Sequence, residues 1–518
     1  MMNCNTVKLP LALLASTLLF SGCTTLGPDF VKPEAPVSEQ WTENKTVEPV
    51  VKTESVDYSS WWKGFNDPVL DRLIETAYEE NLDLRQSGLR ILEARAALGI
   101  AVGEQLPQSQ EVNGAAAAIN SSKNTANPLQ DRHFSDYQLS FDAAWELDFW
   151  GRFRRGVESA EANLNASVAD YDNALVALTA EVARAYVSIR TFGERIRLAE
   201  ENVTLQKRSL EIADVRFRNG VVTELDVTQA KTLLLNTKAL IPLLQTGKRQ
   251  AENSLAILLG MPPREIRSLL GEGENVSIPS APSEVAVGIP ADLLRRRPDI
   301  RFAELEAAAQ SARIGIARAD LFPSFSLVGS IGYGSKNTND LFESEAFTGY
   351  IGPGISWKIL NYGRIKNNVR VQDARFEQAL VKYENTVLKA YQEVEDALVG
   401  FVRVGEQADY LADSVIASKR SVDLSNIQYG DGVIDYNRVI TVQNTLVDQQ
   451  DSWVAAKGEN ILYLITLYKA LGGGWQIRQG KDFVPEETVK TMRERTDWGD
   501  MLPEKDLAET PEQIKDSE

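Results

Sequence analysis

Few residues in this chain could do covalent chemistry. It holds one histidine, His133, and two cysteines, Cys4 and Cys23, in 518 residues. A disulfide framework, a Cys/His zinc site and a triad drawn from several histidines are therefore excluded. No Gly-x-Ser-x-Gly elbow, Walker loop, cysteine pair or dinucleotide fingerprint occurs. Nothing in the residues points to an enzyme, a metal or a bound cofactor. A net charge of −18 argues against a nucleic-acid partner. The polar residues worth following lie beside two glycine turns: Asp226 after Gly220, and Tyr429, Asp435, Asn437, Arg438 and Thr441 around Gly432. Asp435 reads as a helix N-cap, and Asp226 as the far member of a capping box opened by Thr223. Arg438 resists that reading, because a cation in a first helical turn opposes the helix dipole.

Those turns belong to a stretch that occurs twice. Trp145, Gly151, Glu181, Gly220 and Gly260 recur as Trp357, Gly363, Glu393, Gly432 and Gly472, at a constant offset of 212 residues (145 to 357). A shared frame over so long a span predicts two structural repeats. Within each copy apolar residues recur at steps of three and four, as at Leu175, Leu178, Val182, Tyr186 and Ile189. No proline interrupts residues 152–217, so the helix there should run for about 100 Å. Asn219-Gly220 is a left-handed stop, and a second helix returns to Leu259-Gly260. Each copy is predicted to be a long antiparallel helical hairpin, whose single apolar stripe per helix calls for neighbouring helices.

The N-terminus reads as a leader. Lys8 precedes the apolar run Leu9 to Phe20, too short to span a membrane. Leu19-Phe20-Ser21-Gly22-Cys23 resembles a bacterial lipoprotein box, with Phe20 where leucine is usual. Cleavage would leave Cys23 as an N-terminal residue carrying N-acyl and diacylglycerol groups, an anchor that does not span the bilayer. Thr24, in place of aspartate, resembles the signal for the outer membrane.

Strands precede each hairpin. Phe141, Ala143, Trp145, Leu147 and Phe149 alternate with Asp142, Ala144, Glu146 and Asp148, and Ile351, Pro353, Ile355, Trp357 and Ile359 alternate likewise. Period two with one apolar and one polar face suits an outer-membrane strand. Phe325, Leu327, Ile331 and Tyr333 extend the pattern, while residues 108–119 show no register. Pro107 and Pro323 end the preceding helices, and the second copy is four residues shorter between Pro323 and Trp357. Four strands cannot close a barrel, since about eight is the minimum and open edges are forbidden in lipid. Several chains must share one.

Gly27-Pro28-Asp29-Phe30, Trp61-Trp62 with Asp67-Pro68-Val69-Leu70, Arg216-Phe217-Arg218-Asn219-Gly220 and Leu294-Arg295-Arg296-Arg297-Pro298-Asp299-Ile300 resemble the outer-membrane factor family, in its lipoprotein branch. The family comprises the exit ducts of tripartite efflux pumps and type I secretion systems. The resemblance covers Cys23 to about Trp475. It implies a mixed α and transmembrane β fold, a homotrimer whose twelve-stranded β-barrel is continuous with a long α-helical barrel. It implies a lipid-anchored protein of the outer membrane reaching into the periplasm, with a periplasmic adaptor (membrane fusion) protein and an inner-membrane pump as partners. The lipoprotein motifs favour drug or solute efflux, of the RND type. A type I protein secretion duct and a non-channel coiled-coil envelope lipoprotein are the alternatives. In the family the hairpin tips pinch the periplasmic end shut. Tyr429 stands at the family's tyrosine, Ile434 where some members carry a basic residue, and Arg438 and Thr441 where many carry acids. Asp226 keeps the acid in the first copy. The gate is therefore expected to use Asp226, Tyr429, Asp435, Asn437, Arg438 and Thr441.

The expected domains are a signal peptide (1–22), an acylated extended arm (23–66), a first repeat (67–262, with a β-hairpin at about 107–150 and a helical hairpin at about 151–260), and a connector (263–297). A second repeat (298–474, β-hairpin about 323–361, helical hairpin about 363–472) and a polar acidic tail (475–518) complete the chain.

Overall fold

The computed structural model describes residues 25–34, 41–42, 51–52, 58–124, 126, 130–271, 277–282, 285–286 and 296–502. The leader, Cys4, Cys23, much of the connector with Leu294 and Arg295, and the tail from 503 lie outside the described residues. Helices α1 (Pro68–Glu80) and α2 (Leu82–Gly103) precede strands β1 (Ser109–Asn120) and β2 (His133–Leu147). The long helices α3 (Arg152–Arg218) and α4 (Glu224–Leu258) follow, then the short α5 (Ile266–Leu270). After α6 (Pro298–Ala319) come β3 (Ser324–Ser335), β4 (Phe347–Ser356), α7 (Arg364–Gly430), α8 (Tyr436–Ala470) and α9 (Glu486–Arg495). Both α3 and α7 are 67 residues long, and both α4 and α8 are 35. The chain divides into two compact units, one holding residues 91–167 and 302–383 and the other 35–90, 168–301 and 384–518.

The first unit is built on a four-stranded antiparallel sheet in the order β1-β2-β3-β4. The register of β1, which its alanines leave open, is set by β2: Glu111 pairs with Asp142 and Val112 with Phe141. Pairing then carries across the sheet, Phe141 to Ile331 and Ile331 to Gly349, Trp145 to Leu327, Leu147 to Phe325 and Phe325 to Ile355. Paired residues share a face, so Val112, Leu139, Phe141, Leu327, Ile331, Ile351 and Ile355 form one apolar surface, and all of them are exposed. Glu111, Asn113, Asp136, Ser140, Asp142, Glu146, Ser326 and Ser330 occupy the other. The alternation extends less far than its pattern: β4 ends at Ser356, so Trp357 and Ile359 lie beyond the strand. Trp357 is instead tied to the end of α6, its indole N–H donating to Leu321 O at 3.1 Å. Trp145 does the same at the end of α2, to Gln105 O at 3.2 Å.

An N-terminal segment docks on this unit. Leu26 N–H donates to Trp150 O at 3.1 Å. Arg155, with only 4 % of its side chain exposed, donates to Leu26 O at 3.1 Å and pairs with Asp29 and Glu158 at 2.7 and 2.6 Å. A side chain at Gly315 would collide with Leu26 O, its Cβ coming to 2.5 Å. The helix can accept the segment's backbone only as glycine.

The second unit has an aromatic anchor. Residues 61–65 are not extended as expected but form a 3-10 turn burying Trp61, Trp62 and Phe65. Trp61 stacks on Tyr468 with centroids 5.2 Å apart, a contact worth about 0.5–1.5 kcal/mol beyond its buried area. Asp67 caps α1, accepting from Val69 N–H at 2.9 Å, and also accepts the Tyr186 hydroxyl at 2.6 Å. Arg297 explains its Arg-Pro-Asp motif. It is buried, donates to Ala470 O at the end of α8 at 2.7 Å, and pairs with Asp299 and Glu393 at 2.7 and 2.8 Å. The buried Arg297 guanidinium is thereby paired, which a buried cation requires. The C-terminal stretch packs on the same unit through a buried Arg478–Asp172 pair, with Arg478 over the Phe483 ring at 5.0 Å.

Candidate functional site at the hairpin tips

Two helical hairpins, α3–α4 and α7–α8, turn at Gly220 and Gly432, both in the left-handed conformation at φ 69° and 77°. The two turns are built alike: Val221 N–H reaches back to Arg216 O at 2.9 Å, and Val433 N–H to Gln428 O at 2.8 Å. Only glycine holds this conformation without a steric penalty, so each long helix must stop and return there.

Below the turns Ala213, Ala230, Tyr429, Tyr436 and Val439 form a small buried core, flanked by Leu210, Val222, Val227 and Ile434. Residues from both hairpins contribute. Tyr429 is at its centre. Its ring meets that of Tyr436 edge to face at 5.1 Å and lies beneath the Arg216 guanidinium, 4.5 Å from the centroid. Its hydroxyl donates to Asp226 Oδ2 at 3.3 Å. Arg216 also donates to the carbonyls of Tyr429 and Gly430, the latter at 3.3 Å, binding the last turn of α7, where carbonyls lack helical partners. Burial, with the Asp226 carboxylate adding to it, pushes the Tyr429 phenol up to about 12. Burial likewise raises Tyr436. Both phenols are neutral across the physiological range.

The expected gate residues divide into two groups. Asp226 and Tyr429 are joined directly, although 203 residues separate them. Asp226 does not complete a capping box. Thr223 makes no side-chain cap bond, and the carboxylate accepts from the phenol instead. Asp435, Asn437, Arg438 and Thr441 are exposed. Asp435 is the N-cap of α8, and the group it accepts from is the Arg438 backbone N–H at 3.1 Å, not the guanidinium. Thr441 Oγ1 donates to Asn437 O at 2.9 Å within the helix. Sequence reasoning missed Arg216 and Tyr436. The signals for Arg216 were its place four residues before the turn glycine and at the head of the Arg216-Phe217-Arg218-Asn219-Gly220 motif. Cys23 lies outside the described residues; Thr25, two residues on, rests against Gly151, whose added Cβ would come to 2.6 Å.

The comparisons with known proteins agree along most of the chain. The sequence profile described as Outer membrane efflux protein matches residues 73–261 and 289–473. Nodulation protein T of Rhizobium leguminosarum bv. trifolii is 32% identical over 465 residues, spanning 89% of this chain and 96% of that protein. A probable efflux pump outer membrane protein of Pseudomonas putida, TtgC, is 30% identical over 478 residues, 91% of this chain and 96% of that one. Among solved structures, the outer-membrane channel OprN superposes with a TM-score of 0.81 at 32% identity, covering 87% of this chain and 100% of that one. The open-state MtrE outer membrane channel of Neisseria gonorrhoeae gives 0.76 at 29% identity, covering 87% and 98%. Motifs, elements and relatives coincide, and the chain belongs to the outer membrane efflux protein family.

Proposed function

We propose that this chain is the outer-membrane component of a tripartite efflux system of the RND type, a passive exit duct for drugs or small solutes, and not an enzyme. The observation that carries the reading is the sheet. Its two outer strands have no further partner among the described residues, one face is apolar and exposed, and the other is polar. Three copies close a twelve-stranded barrel with lipid outside and water inside, which removes every open edge. Their six helical hairpins close a second, helical barrel. The equal lengths of α3 and α7, and of α4 and α8, support a duplicated repeat. The names of relatives such as the Pseudomonas putida efflux pump protein support the direction of transport.

In this reading the hairpin tips are the periplasmic gate, and Tyr429, Asp226 and Arg216 latch the two hairpins of one protomer. Asp435, Asn437, Arg438 and Thr441 are the exposed groups that line or flank the aperture. A periplasmic adaptor protein opens the latch, and an inner-membrane pump supplies the energy. Acyl chains on Cys23 anchor the protein in the outer membrane.

The test is direct. The purified protein should be a trimer by light scattering in mild detergent and should form ion channels in planar bilayers. Deleting the gene should sensitise cells to exported compounds. A monodisperse monomer without conductance would overturn the duct.

A further inference from the structure

Between the mid-length of the hairpins and their tips, α3 meets α8 through a buried seam that is polar where a coiled coil would be apolar. Asn202 donates to Gln450 at 2.6 Å. Seven residues nearer the tip, Ser209 accepts from Gln443 at 2.7 Å, and Gln443 also reaches Asn426 of α7 at 3.3 Å. Asn202, Ser209, Gln443 and Gln450 are all buried. Arg195 and Asp451 extend the seam away from the tip with paired contacts at 2.7 and 2.8 Å.

Two members fall short of full pairing among the described residues: Gln443 leaves its Oε1 without a partner, and Gln206 leaves both of its amide groups so. Gln206 is 1% exposed, yet neither its amide nitrogen nor its amide oxygen has a hydrogen-bond partner among the described residues. The register explains this. The antiparallel alignment that sets Asn202 against Gln450 and Ser209 against Gln443 sets Gln206 against Leu446, which offers no polar atom. A buried amide without partners disfavours the arrangement that buries it, because separation returns both groups to water. The Asn202–Gln450 pair is nearly neutral by comparison, since water replaces what each amide loses. An apolar seam of the same length would hold the hairpins together far more strongly.

We propose that Gln206, placed opposite Leu446 in this polar seam, is a positioning residue for the gate: it weakens the packing of the first hairpin on the second so that the tips can part. The inference rests on the duct reading above. It locates the ease of opening in the shaft of the hairpins, some distance from the Tyr429 latch that opening releases.

Two variants test it. Gln206→Met keeps the side-chain volume and removes both orphaned groups. Leu446→Gln keeps Gln206 and supplies its missing partner. Both should raise the melting temperature of the trimer. In planar bilayers both should lower the fraction of time spent in the open level, by about tenfold for Gln206→Met. Cells carrying either variant at the normal trimer level should lose drug resistance. A more stable trimer whose opening and resistance match the wild type would overturn the gating role and leave Gln206 as a packing defect. So would unchanged stability in both variants. A wild-type trimer without conductance would instead overturn the duct reading, so the two failures are distinguishable.

Discussion

Tyr429 does three jobs with one side chain: its ring fills the tip core, its face receives Arg216, and its hydroxyl reaches Asp226. The first two survive in Tyr429→Phe and the third does not. A hydrogen bond to a charged partner is worth about 1.5–3 kcal/mol, less where solvent reaches it. Tyr429→Phe and Asp226→Asn should therefore each raise open-level occupancy in bilayers, and the double variant should add little to either. The phenol also makes the latch sensitive to base. Its titration is raised in the folded protein from the usual 10.0 to about 12. A raised value means that its stabilising contribution is complete below pH 10 and is lost as pH climbs towards 12. Wild-type channels should open progressively over that window, whereas the opening of Tyr429→Phe should lack that step. The residues in this latch were legible one at a time and not together. Nothing in spacing joins position 226 to 429, and Asp226 looked like a cap because Thr223 lies three residues before it. Arg438 stood out for a sound electrostatic reason, but the structure gives Asp435 to its backbone rather than its side chain.

At the scale of elements, the sequence was most informative where a single period governs many residues. The long helices and their glycine stops follow from steps of three and four ended by Asn219-Gly220 and Asp431-Gly432. The strand β1 was illegible because its alanines fit either face, and only pairing with β2 fixes it. The end of β4 was overrun because alternation continues past Ser356 while hydrogen bonding stops. The docking of residues 25–34 could not be foreseen at all, since it depends on a glycine in another helix, Gly315, being bare. The faces of the sheet can be tested separately. Ile351 is 77% exposed in the middle of β4 on the apolar face, while Thr348 of the same strand faces the other way. Lysine on a lipid-facing midplane position costs about 2–4 kcal/mol. Ile351→Lys should cut the yield of membrane-inserted trimer while helical content by circular dichroism is kept. Thr348→Lys should insert normally. Equal yields from both would show the faces to be wrongly assigned.

For the whole molecule, the distribution of charge sets what the proposed duct would favour. None of the four long strands contains lysine or arginine, and their carboxylates, Glu111, Asp136, Asp142 and Glu146, all fall on the polar face. Glu146 is 3.5 Å from Arg152 at the end of the sheet. Glu111 and Asp142 are opposite each other across the β1–β2 pair, a placement that ordinarily destabilises a sheet. Neutral donors hold the Asp142 carboxylate, Asn113 at 2.7 Å and Ser140 at 2.9 Å, so its charge is solvated without being cancelled. Around the threefold axis of the proposed trimer these acids would repeat three times on the wall of its water-filled barrel. A wall of one sign concentrates counterions and excludes co-ions within a Debye length, about 10 Å at 0.1 M salt. The trimer should therefore pass potassium in preference to chloride. Its reversal potential in a KCl gradient should take the sign of cation selectivity and weaken as the salt on both sides is raised. Glu111→Gln with Asp142→Asn removes six charges from the wall of the proposed trimer and keeps the shape of each side chain, with one acceptor oxygen left to receive Asn113 and Ser140. That variant should conduct normally with a reversal potential shifted towards zero. If the shift is absent while conductance persists, selectivity is set at the hairpin tips, and the strand acids serve only to keep the barrel wall wet.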